Sequence, residues 1–171
     1  RDFTGFAEKR SPEEVVQYLE SLFEFMIEIV NRHHGIINKF LGDGFMAVFG
    51  APLSDGKDCA NALEAAQEIL ARVHREVESG TILPTTVGIG LHAGEAVTGS
   101  IGSALRREYT VIGDVVNLAA RIEKLNKNFD SQLLISEIVW QEVSDESNKA
   151  VPKGEIQVKG REQSVQVYQL A

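Results

Sequence analysis

The chain has 171 residues, of which 43% are hydrophobic and 25% are charged, as is typical of one globular domain with its own core. The net charge of −8 argues against a nucleic acid or an anionic membrane surface as the main partner. A single cysteine, Cys59, excludes an internal disulfide framework and fits a reducing, cytoplasmic compartment, and the apolar runs are too short to span a bilayer.

The first half of the chain predicts a helix, a hairpin and a second helix. Ser11 and Pro12 are typical of a helix start, and the apolar residues that follow at three- and four-residue spacings predict a helix over residues 12–33. Two apolar segments, 36–40 and 45–49, flank an Asp43-Gly44 pair that supplies the positive φ angles of a tight hairpin. An Ala- and Glu-rich run predicts the second helix over residues 60–77. The segment that opens on Arg1 predicts a polar turn, and we expect a longer protein upstream of it.

The second half predicts short strands and two further helices. The strands cover residues 87–93, 109–112, 133–135, 155–159 and 165–170. Asp114 is a natural N-cap for a helix to residue 127, and Ser136 is predicted to cap a short helix to residue 143. The glycines of the first of these strands are expected on its outer face. The order of elements predicts an α+β domain with a largely antiparallel sheet that helices cover on one face.

Two features of the sequence match known motifs without the required context. Gly88-Ile-Gly90 nominally matches a dinucleotide fingerprint, but no helix follows it and the alternating strand pattern continues. His33 and His34 lack a third ligand at metal-binding spacing, so we interpret them as solvated groups at a helix C-terminus, where the dipole favours them. His74 and His92 have no Cys or His partner nearby and receive the same interpretation.

Asp43 is a candidate metal ligand. A carboxylate at a Gly-flanked hairpin tip can present both oxygens to Mg²⁺, which prefers such hard ligands. The alternative is that the Asp-Gly pair serves only as good turn chemistry.

Asn117 and Arg121 are candidate site residues, an amide and a guanidinium group on one helix face. They lie four positions apart on the predicted helix, on the face opposite its apolar residues. An Arg fork suits a phosphoryl group whose negative charge grows in a transition state. The alternative for Arg121 is a surface ion pair with Glu108 or Glu123.

Five segments, in order along nearly the whole chain, resemble one protein family. They are Phe3-Thr4-Gly5-Phe6, Lys39-Phe-Leu-Gly-Asp43-Gly44, Gly88-Ile-Gly-Leu-His-Ala-Gly94, Tyr109-Thr-Val-Ile-Gly-Asp114-Val-Val-Asn117-Leu-Ala-Ala-Arg121 and Val158-Lys159-Gly160. Together they resemble the class III nucleotidyl cyclase catalytic domain over residues 1–171. The resemblance implies a ferredoxin-like βαββαβ core with additional elements. It also implies conversion of a nucleoside triphosphate to its 3′,5′-cyclic monophosphate and pyrophosphate.

The resemblance assigns a role to the side chains that act on the phosphates. Asp43 resembles the second of two metal-binding aspartates, which together hold two Mg²⁺ or Mn²⁺ ions. Asn117 would orient the ribose, and Arg121 would stabilise the pentavalent α-phosphate. Lys159 is placed like the lysine that holds the terminal phosphates.

Other matched positions concern the approach to the phosphates and the choice of base. Phe3 and Thr4 match the turn whose backbone amides approach the phosphates. Lys39 and Thr110 lie at the two base-reading positions, where a Lys and a hydroxyl group suit the adenine edge, so ATP is favoured over GTP. A guanylate cyclase and a catalytically degenerate regulatory module are the alternatives.

The resemblance also implies an assembly. In the family, the metal aspartates come from one subunit and the base-reading, Asn and Arg residues from the other, so we expect a head-to-tail homodimer with the stretch 100–108 as an arm in the contact. The first metal aspartate would precede Arg1 on a strand that this chain lacks. We expect a cytoplasmic domain that binds ATP without contacting nucleic acid or membrane directly, and an upstream sensor domain is left open.

Overall fold

The structure is a computed structural model that describes residues 3–103, 106–145, 149–157 and 164–171, apart from the side chains of Thr4, residues 101–109 and Gln157. The described helices are α1 (Phe3–Ala7), α2 (Pro12–Arg32), α3 (Asp58–Glu78), α4 (Asp114–Phe129) and α5 (Glu137–Val143). The described strands are β1 (Gly35–Phe40), β2 (Phe45–Phe49), β3 (Ile89–Leu91), β4 (Val97–Ser103), β5 (Arg106–Ile112), β6 (Leu133–Ser136), β7 (Val151–Gln157) and β8 (Ser164–Gln169).

Within the described residues the strands form three sheets. β1 pairs with β2 and β4 pairs with β5, both as antiparallel ribbons. The remaining strands form a sheet in the order β3-β6-β8-β7, in which only the β3–β6 pair is parallel. The expected α+β class with a largely antiparallel arrangement of strands is therefore confirmed.

The four-stranded sheet is covered on both faces, so the prediction of helices on one face was wrong. On one side, Leu133 and Ile135 of β6 pack with residues of α3 and α5. On the other side, Leu134 packs with Ile122 of α4. Side chains alternate along a strand, and all four residues of β6 are buried, so this strand needs a helix on each face.

Two segments differ in type from the predicted elements, and β7 begins four residues before the predicted strand 155–159, whose last two residues lie outside the described ones. Residues 3–7 form α1 where a polar turn was expected, because the Phe6 ring packs on Tyr18 of α2 at a centroid distance of 4.5 Å and gives the segment an apolar anchor. The polar stretch 100–108 lies mainly in the β4–β5 ribbon, where Ser100 pairs with Tyr109. Its small residues carry no apolar alternation, so cross-strand backbone pairing, which sequence periodicity does not report, defines the ribbon.

The start of α2 follows its prediction closely. The Ser11 hydroxyl accepts a hydrogen bond from the Glu14 backbone N–H at 3.2 Å, and the Glu14 carboxylate accepts one from the Ser11 N–H at 2.8 Å. This reciprocal pair is a capping box, which satisfies two backbone donors that the helix itself leaves without partners.

The end of α2 is tied to α3 by ionic contacts around Glu68. Arg32 Nη2 lies 2.6 Å from one carboxylate oxygen of Glu68, and His33 Nε2 lies 2.8 Å from the other. His33 is therefore a half-buried partner of an acid, and its interpretation as a solvated helix end was wrong. The hydrogen bond from His33, and then the positive charge of Arg32, hold the pKa of Glu68 below its ordinary value.

Replacing Glu68 with Gln is expected to lower Tm by a few degrees at most at neutral pH. A carboxyl group with a lowered pKa in the folded state stabilises the fold above its unfolded pKa, and this contribution is lost as pH falls through the folded pKa. The difference in Tm between the wild type and Glu68→Gln should therefore disappear when the pH falls below 4.5, the ordinary pKa of a glutamate. Thermal unfolding of both proteins across pH tests this, with Glu20→Gln on the exposed side of α2 as the control. A difference that stays constant with pH would contradict the assignment.

Candidate active site

Lys39 and Asp43 both lie on the β1–β2 hairpin, and both residues are exposed to solvent. Gly42 takes the left-handed conformation at φ 68°, and the Leu41 N–H donates to the Gly44 carbonyl at 2.8 Å, which closes the turn. The positive φ angle thus belongs to the glycine before Asp43, and not to the Asp43-Gly44 pair as predicted. Lys39 and Asp43 are exposed, and neither forms an ion pair with another described residue.

Helix α4 presents Asn117 and Arg121 from the face that was predicted. Leu118 and Ile122, on the opposite face, are buried in the core, whereas Asn117 is exposed and Arg121 is half-buried. Arg121 makes no ion pair with Glu123, and the side chain of Glu108 lies outside the described residues. The guanidinium group is thus unengaged by the described part of the chain, as a group that meets an external anion should be.

The position of α4 depends on the glycines that precede and follow Ile89. A Cβ atom on Gly90 would lie 2.3 Å from the Glu123 backbone nitrogen and 2.9 Å from the Ala119 carbonyl oxygen. Gly90 in β3 and Gly88 just before it, which together we call the glycine seat, are therefore covered by α4, and their assignment to the outer face was wrong. Glycine inside a strand often marks the close approach of another backbone, and this was the signal available in the sequence.

A buried amide fastens the second half of α4 to the same strand. Asn126 donates from Nδ2 to the Ile89 carbonyl at 2.8 Å, and the Ser131 hydroxyl donates to Asn126 Oδ1 at 2.9 Å. Asn126 is 1% exposed, so these bonds satisfy polar atoms that would be costly to bury alone. The role of Asn126 was not predicted, because an Asn in an amphipathic helix gives no signal of a specific buried partner.

Two predicted helix caps are not formed. Gly113 occupies the N-cap position of α4, and Asp114 is the first helical residue, where its charge still suits the helix dipole. Ser136 is at the N-cap of α5, but its hydroxyl makes no cap bond and lies 2.9 Å from His92 Nδ1. His92 is therefore hydrogen-bonded and half-buried, and its interpretation as a solvated group was wrong.

The remaining predicted positions are distributed over separate elements. Thr110 is half-buried on β5, which contacts both β1 and α4. Phe3 lies in α1 with its ring centroid 6.1 Å from that of Phe6. The side chain of Thr4 and all of Lys159 lie outside the described residues. No hydrogen bond joins Lys39, Thr110 and Arg121 to one another in the described part of the chain.

The described residues contain one candidate metal ligand at this site, and no group of three or more His, Cys, Asp or Glu side chains that could hold a metal ion. Mg²⁺ usually binds to proteins through one or two carboxylates and fills its other positions with water and substrate phosphates. An exposed carboxylate without an ion pair, as in Asp43, fits this kind of shared site and does not fit a metal cage made by protein alone. Among the described helices, none is long and apolar enough to cross a membrane.

Comparison with known sequences identifies relatives of the chain. The family model of the adenylate and guanylate cyclase catalytic domain matches residues 1–171. The chain is 36% identical over 172 residues to adenylate cyclase 1 of Rhizobium meliloti, a match that covers 99% of this chain and 26% of that protein. It is 32% identical over 174 residues to the terminal-differentiation specific adenylate cyclase of Dictyostelium discoideum, covering 99% and 8%. The chain thus spans about a quarter or less of these relatives.

Comparison with solved structures gives the same family. The guanylyl cyclase Cya2 aligns with a TM-score of 0.84 at 32% identity, covering 100% of this chain and 87% of that one. The adenylyl cyclase CyaB from P. aeruginosa aligns with a TM-score of 0.84 at 29% identity, covering 100% and 89%. The similar proteins include both adenylyl and guanylyl cyclases, so the fold does not distinguish the two activities. The chain belongs to the adenylate and guanylate cyclase catalytic domain family, as its motifs predicted.

Proposed function

We propose that this chain is the catalytic domain of an adenylate cyclase, which converts ATP to 3′,5′-cyclic AMP and pyrophosphate. The observation that carries the proposal is the solvent-facing side of α4, where an amide and a guanidinium group lie one turn apart and Arg121 is unpaired within the described residues. A cationic fork fixed on a helix is well suited to an oxyanion whose charge increases during reaction.

In the proposed reaction the α-phosphorus of ATP is transferred from the bridging oxygen of the triphosphate to the 3′-oxygen of the same molecule. The ribose 3′-hydroxyl forms a bond to the α-phosphorus and loses its proton, and the bond from that phosphorus to the bridging oxygen breaks as pyrophosphate leaves. Arg121 would stabilise the negative charge that grows on the α-phosphate, and Asn117 would orient the ribose. Lys159 and the backbone at Phe3 and Thr4 would bind the terminal phosphates.

Asp43 would provide one carboxylate for Mg²⁺ or Mn²⁺, and the resemblance implies a second carboxylate and two ions. When bound, such ions favour deprotonation of an attacking hydroxyl and neutralise charge on a triphosphate. The net charge of −8 makes this local neutralisation necessary, because the overall field of the chain repels a polyanion.

Lys39 and Thr110 would read the base. An ammonium group donates to the adenine N1 acceptor, and a hydroxyl can accept from the N6 amino group. Support for ATP comes from the exposed, unpaired ammonium of Lys39 among the described residues and from the two adenylate cyclase relatives. Guanylate cyclase activity is the second candidate, since Cya2 is 32% identical.

We further propose a head-to-tail homodimer. The hairpin that carries Asp43 and the helix that carries Arg121 are joined by no side-chain bond in the described part of the chain, so a second copy would complete each site. Large apolar side chains are exposed near these elements. They are Phe40 (57% exposed), Leu41 (51%), Val97 (74%) and Ile112 (51%). Burial of such groups commonly drives association, and a monomer at high concentration in sedimentation experiments would contradict the assembly.

The full-length protein, incubated with ATP or GTP and with Mg²⁺ or Mn²⁺, tests the proposed activity. We expect cyclic AMP as the main product, and we expect a chelator to remove activity. Cyclic GMP as the main product would establish the second candidate. If neither nucleotide gives a product at concentrations where dimers form, both cyclase activities are overturned. The remaining alternative is then a catalytically degenerate regulatory module.

The double variant Lys39→Glu with Thr110→Cys is expected to shift the ratio of kcat/KM for ATP over GTP toward GTP by about 100-fold, because each lost or gained base contact contributes about 1–3 kcal/mol of discrimination. Initial rates with both nucleotides measure the ratio. Lys127→Glu, an exposed charge reversal in the last turn of α4, is the control and should leave it unchanged. If the double variant leaves the ratio of kcat/KM for ATP over GTP unchanged, Lys39 and Thr110 do not take part in base recognition.

A further inference from the structure

We propose that His92 and Ser136 are positioning residues of the catalytic site. Their hydrogen bond holds the segment of residues 92–96, which we call the support loop, against the first turn of α4, and so sets the location of Asn117 and Arg121. The inference rests on the proposed function for what those two side chains do.

Ser136 forms its hydrogen bond with His92 and not with the helix that it precedes. It is at the N-cap of α5 and is 0% exposed, yet its hydroxyl makes no cap bond and pairs with His92 Nδ1 at 2.9 Å. A serine at the N-cap of a helix usually accepts a hydrogen bond from a backbone N–H of that helix and stabilises it. Ser11 makes such a bond and Ser136 does not, so the hydroxyl of Ser136 is committed to the support loop.

The support loop and the start of α4 lie in direct backbone contact. A Cβ atom on Gly113 would be 3.2 Å from the Glu95 carbonyl oxygen, and one on Gly94 would be 3.5 Å from the Val115 side chain. The same position on Gly94 lies 3.9 Å from His92 Nε2. A shift of His92 would therefore move the loop surface on which Gly113 and Val115 rest.

The rest of α4 is already fixed, so its first turns are the part that the support loop controls. The glycine seat and the Asn126 bond to Ile89 fasten the helix from Ala119 to Asn126. Asn117 lies before this fastened part and Arg121 at its beginning. Loss of support at Gly113 would tilt the first turns about the glycine seat, and Asn117 would be displaced most.

Such a displacement acts on the reaction more than on nucleotide affinity. Misplacement of a positioned group by about 1 Å can cost about 100-fold in rate. Most binding contacts of a nucleoside triphosphate are made through other groups. The expected signature is therefore a lower kcat with little change in KM.

The test compares Ser136→Ala with Ser11→Ala in the full-length protein. Both variants lose one side-chain hydrogen bond and should lower Tm, but Ser11 caps α2, far along the chain from α4. We expect Ser136→Ala to lower kcat for ATP about 10- to 100-fold with less than a twofold change in KM, and Ser11→Ala to leave kcat unchanged. Equal kcat values in the two variants would overturn the proposal.

Two further measurements separate positioning from general destabilisation. His92→Asn retains a polar group near the position of Nδ1 and should recover most of the turnover that His92→Phe loses. In an Asn117→Ala background, Ser136→Ala should lower kcat much less than it does in the wild-type background, since residues that act through one another are not additive. A full, additive loss in that background would show that Ser136 does not act through Asn117 and would overturn the proposal.

Hydrogen exchange gives a readout that does not depend on activity. Peptides covering residues 113–122 should exchange faster in Ser136→Ala and at the wild-type rate in Ser11→Ala. A wild-type protein without cyclase activity would reject the proposed function, while faster exchange confined to this segment would still support the positioning of α4. Unchanged exchange in Ser136→Ala would overturn the positioning inference even if the cyclase activity is found.

Discussion

Replacing Arg121 with Ala is expected to lower kcat by about 10²- to 10³-fold while leaving the dissociation constant of the nucleotide nearly unchanged. The guanidinium group of Arg121 is half-buried on α4 and unpaired among the described residues, so no acid of the described part of the chain needs it for folding. Its partner charge grows only as the 3′-oxygen bonds to phosphorus. An interaction made mainly in the transition state affects rate and not ground-state binding.

Single-turnover kinetics and binding of an ATP analogue without a 3′-hydroxyl measure the two effects separately. Arg121→Lys keeps the charge but loses the planar two-donor fork, so its kcat should lie between the wild-type and Ala values. The thermal unfolding of Arg121→Ala should stay close to that of the wild type, because the guanidinium group forms no ion pair with another described residue. A loss of nucleotide binding as large as the loss of turnover would make Arg121 a ground-state ligand instead.

Replacing Gly90 with Ala is expected to destabilise the fold by about 3 kcal/mol or more, the upper part of the range for inserting atoms into a packed interior. The added Cβ would lie 2.3 Å from the Glu123 nitrogen and 2.7 Å from its Cα. These are backbone atoms of a helix, which a rotamer change cannot move aside. Either α4 lifts from β3 or the strand shifts, and both changes disturb Asn126 and the core residues beneath.

Urea unfolding of the Gly90→Ala and Gly99→Ala variants measures this effect. Gly99 is also a strand glycine, but no heavy atom of the described part of the chain lies within 4 Å of the position its Cβ would take. Its variant should unfold near the wild-type midpoint, whereas Gly90→Ala should unfold at a much lower urea concentration or fail to fold. Similar midpoints for the two variants would show that α4 does not rest on Gly90.

The parts of the fold that sequence predicts well are those set by local periodicity. The long helices α2 and α3, the hairpin and the polar face of α4 all follow from spacing within one segment. The capping box at Ser11 was also predictable, because its two partners are three residues apart. Asp43, Asn117 and Arg121 became candidate site residues in the same way, from a turn and from one helix face, and their roles stay predictions.

What the sequence did not predict depends on contacts between distant segments. Ser136 carries the signature of a helix cap, but its partner is His92, which is 44 positions away. Glu68 likewise defines the environment of His33 from another helix. The glycines of β3 alternate with apolar residues, a pattern that cannot tell solvent from a helix backbone on the small-residue face. Such partners follow only from the packing of the whole domain.

The division of the described strands into two ribbons and one larger sheet has a consequence for how nucleotide preference could diverge. Lys39 and Thr110 lie on the β1–β2 and β4–β5 ribbons, whereas Arg121 lies on a helix bound to the four-stranded sheet. Lys39 is exposed and is not part of a core cluster, so under the proposed function selection could exchange the base that is read while the phosphate chemistry stays intact. A family that contains both adenylyl and guanylyl enzymes on one backbone is the expected evolutionary result of that separation.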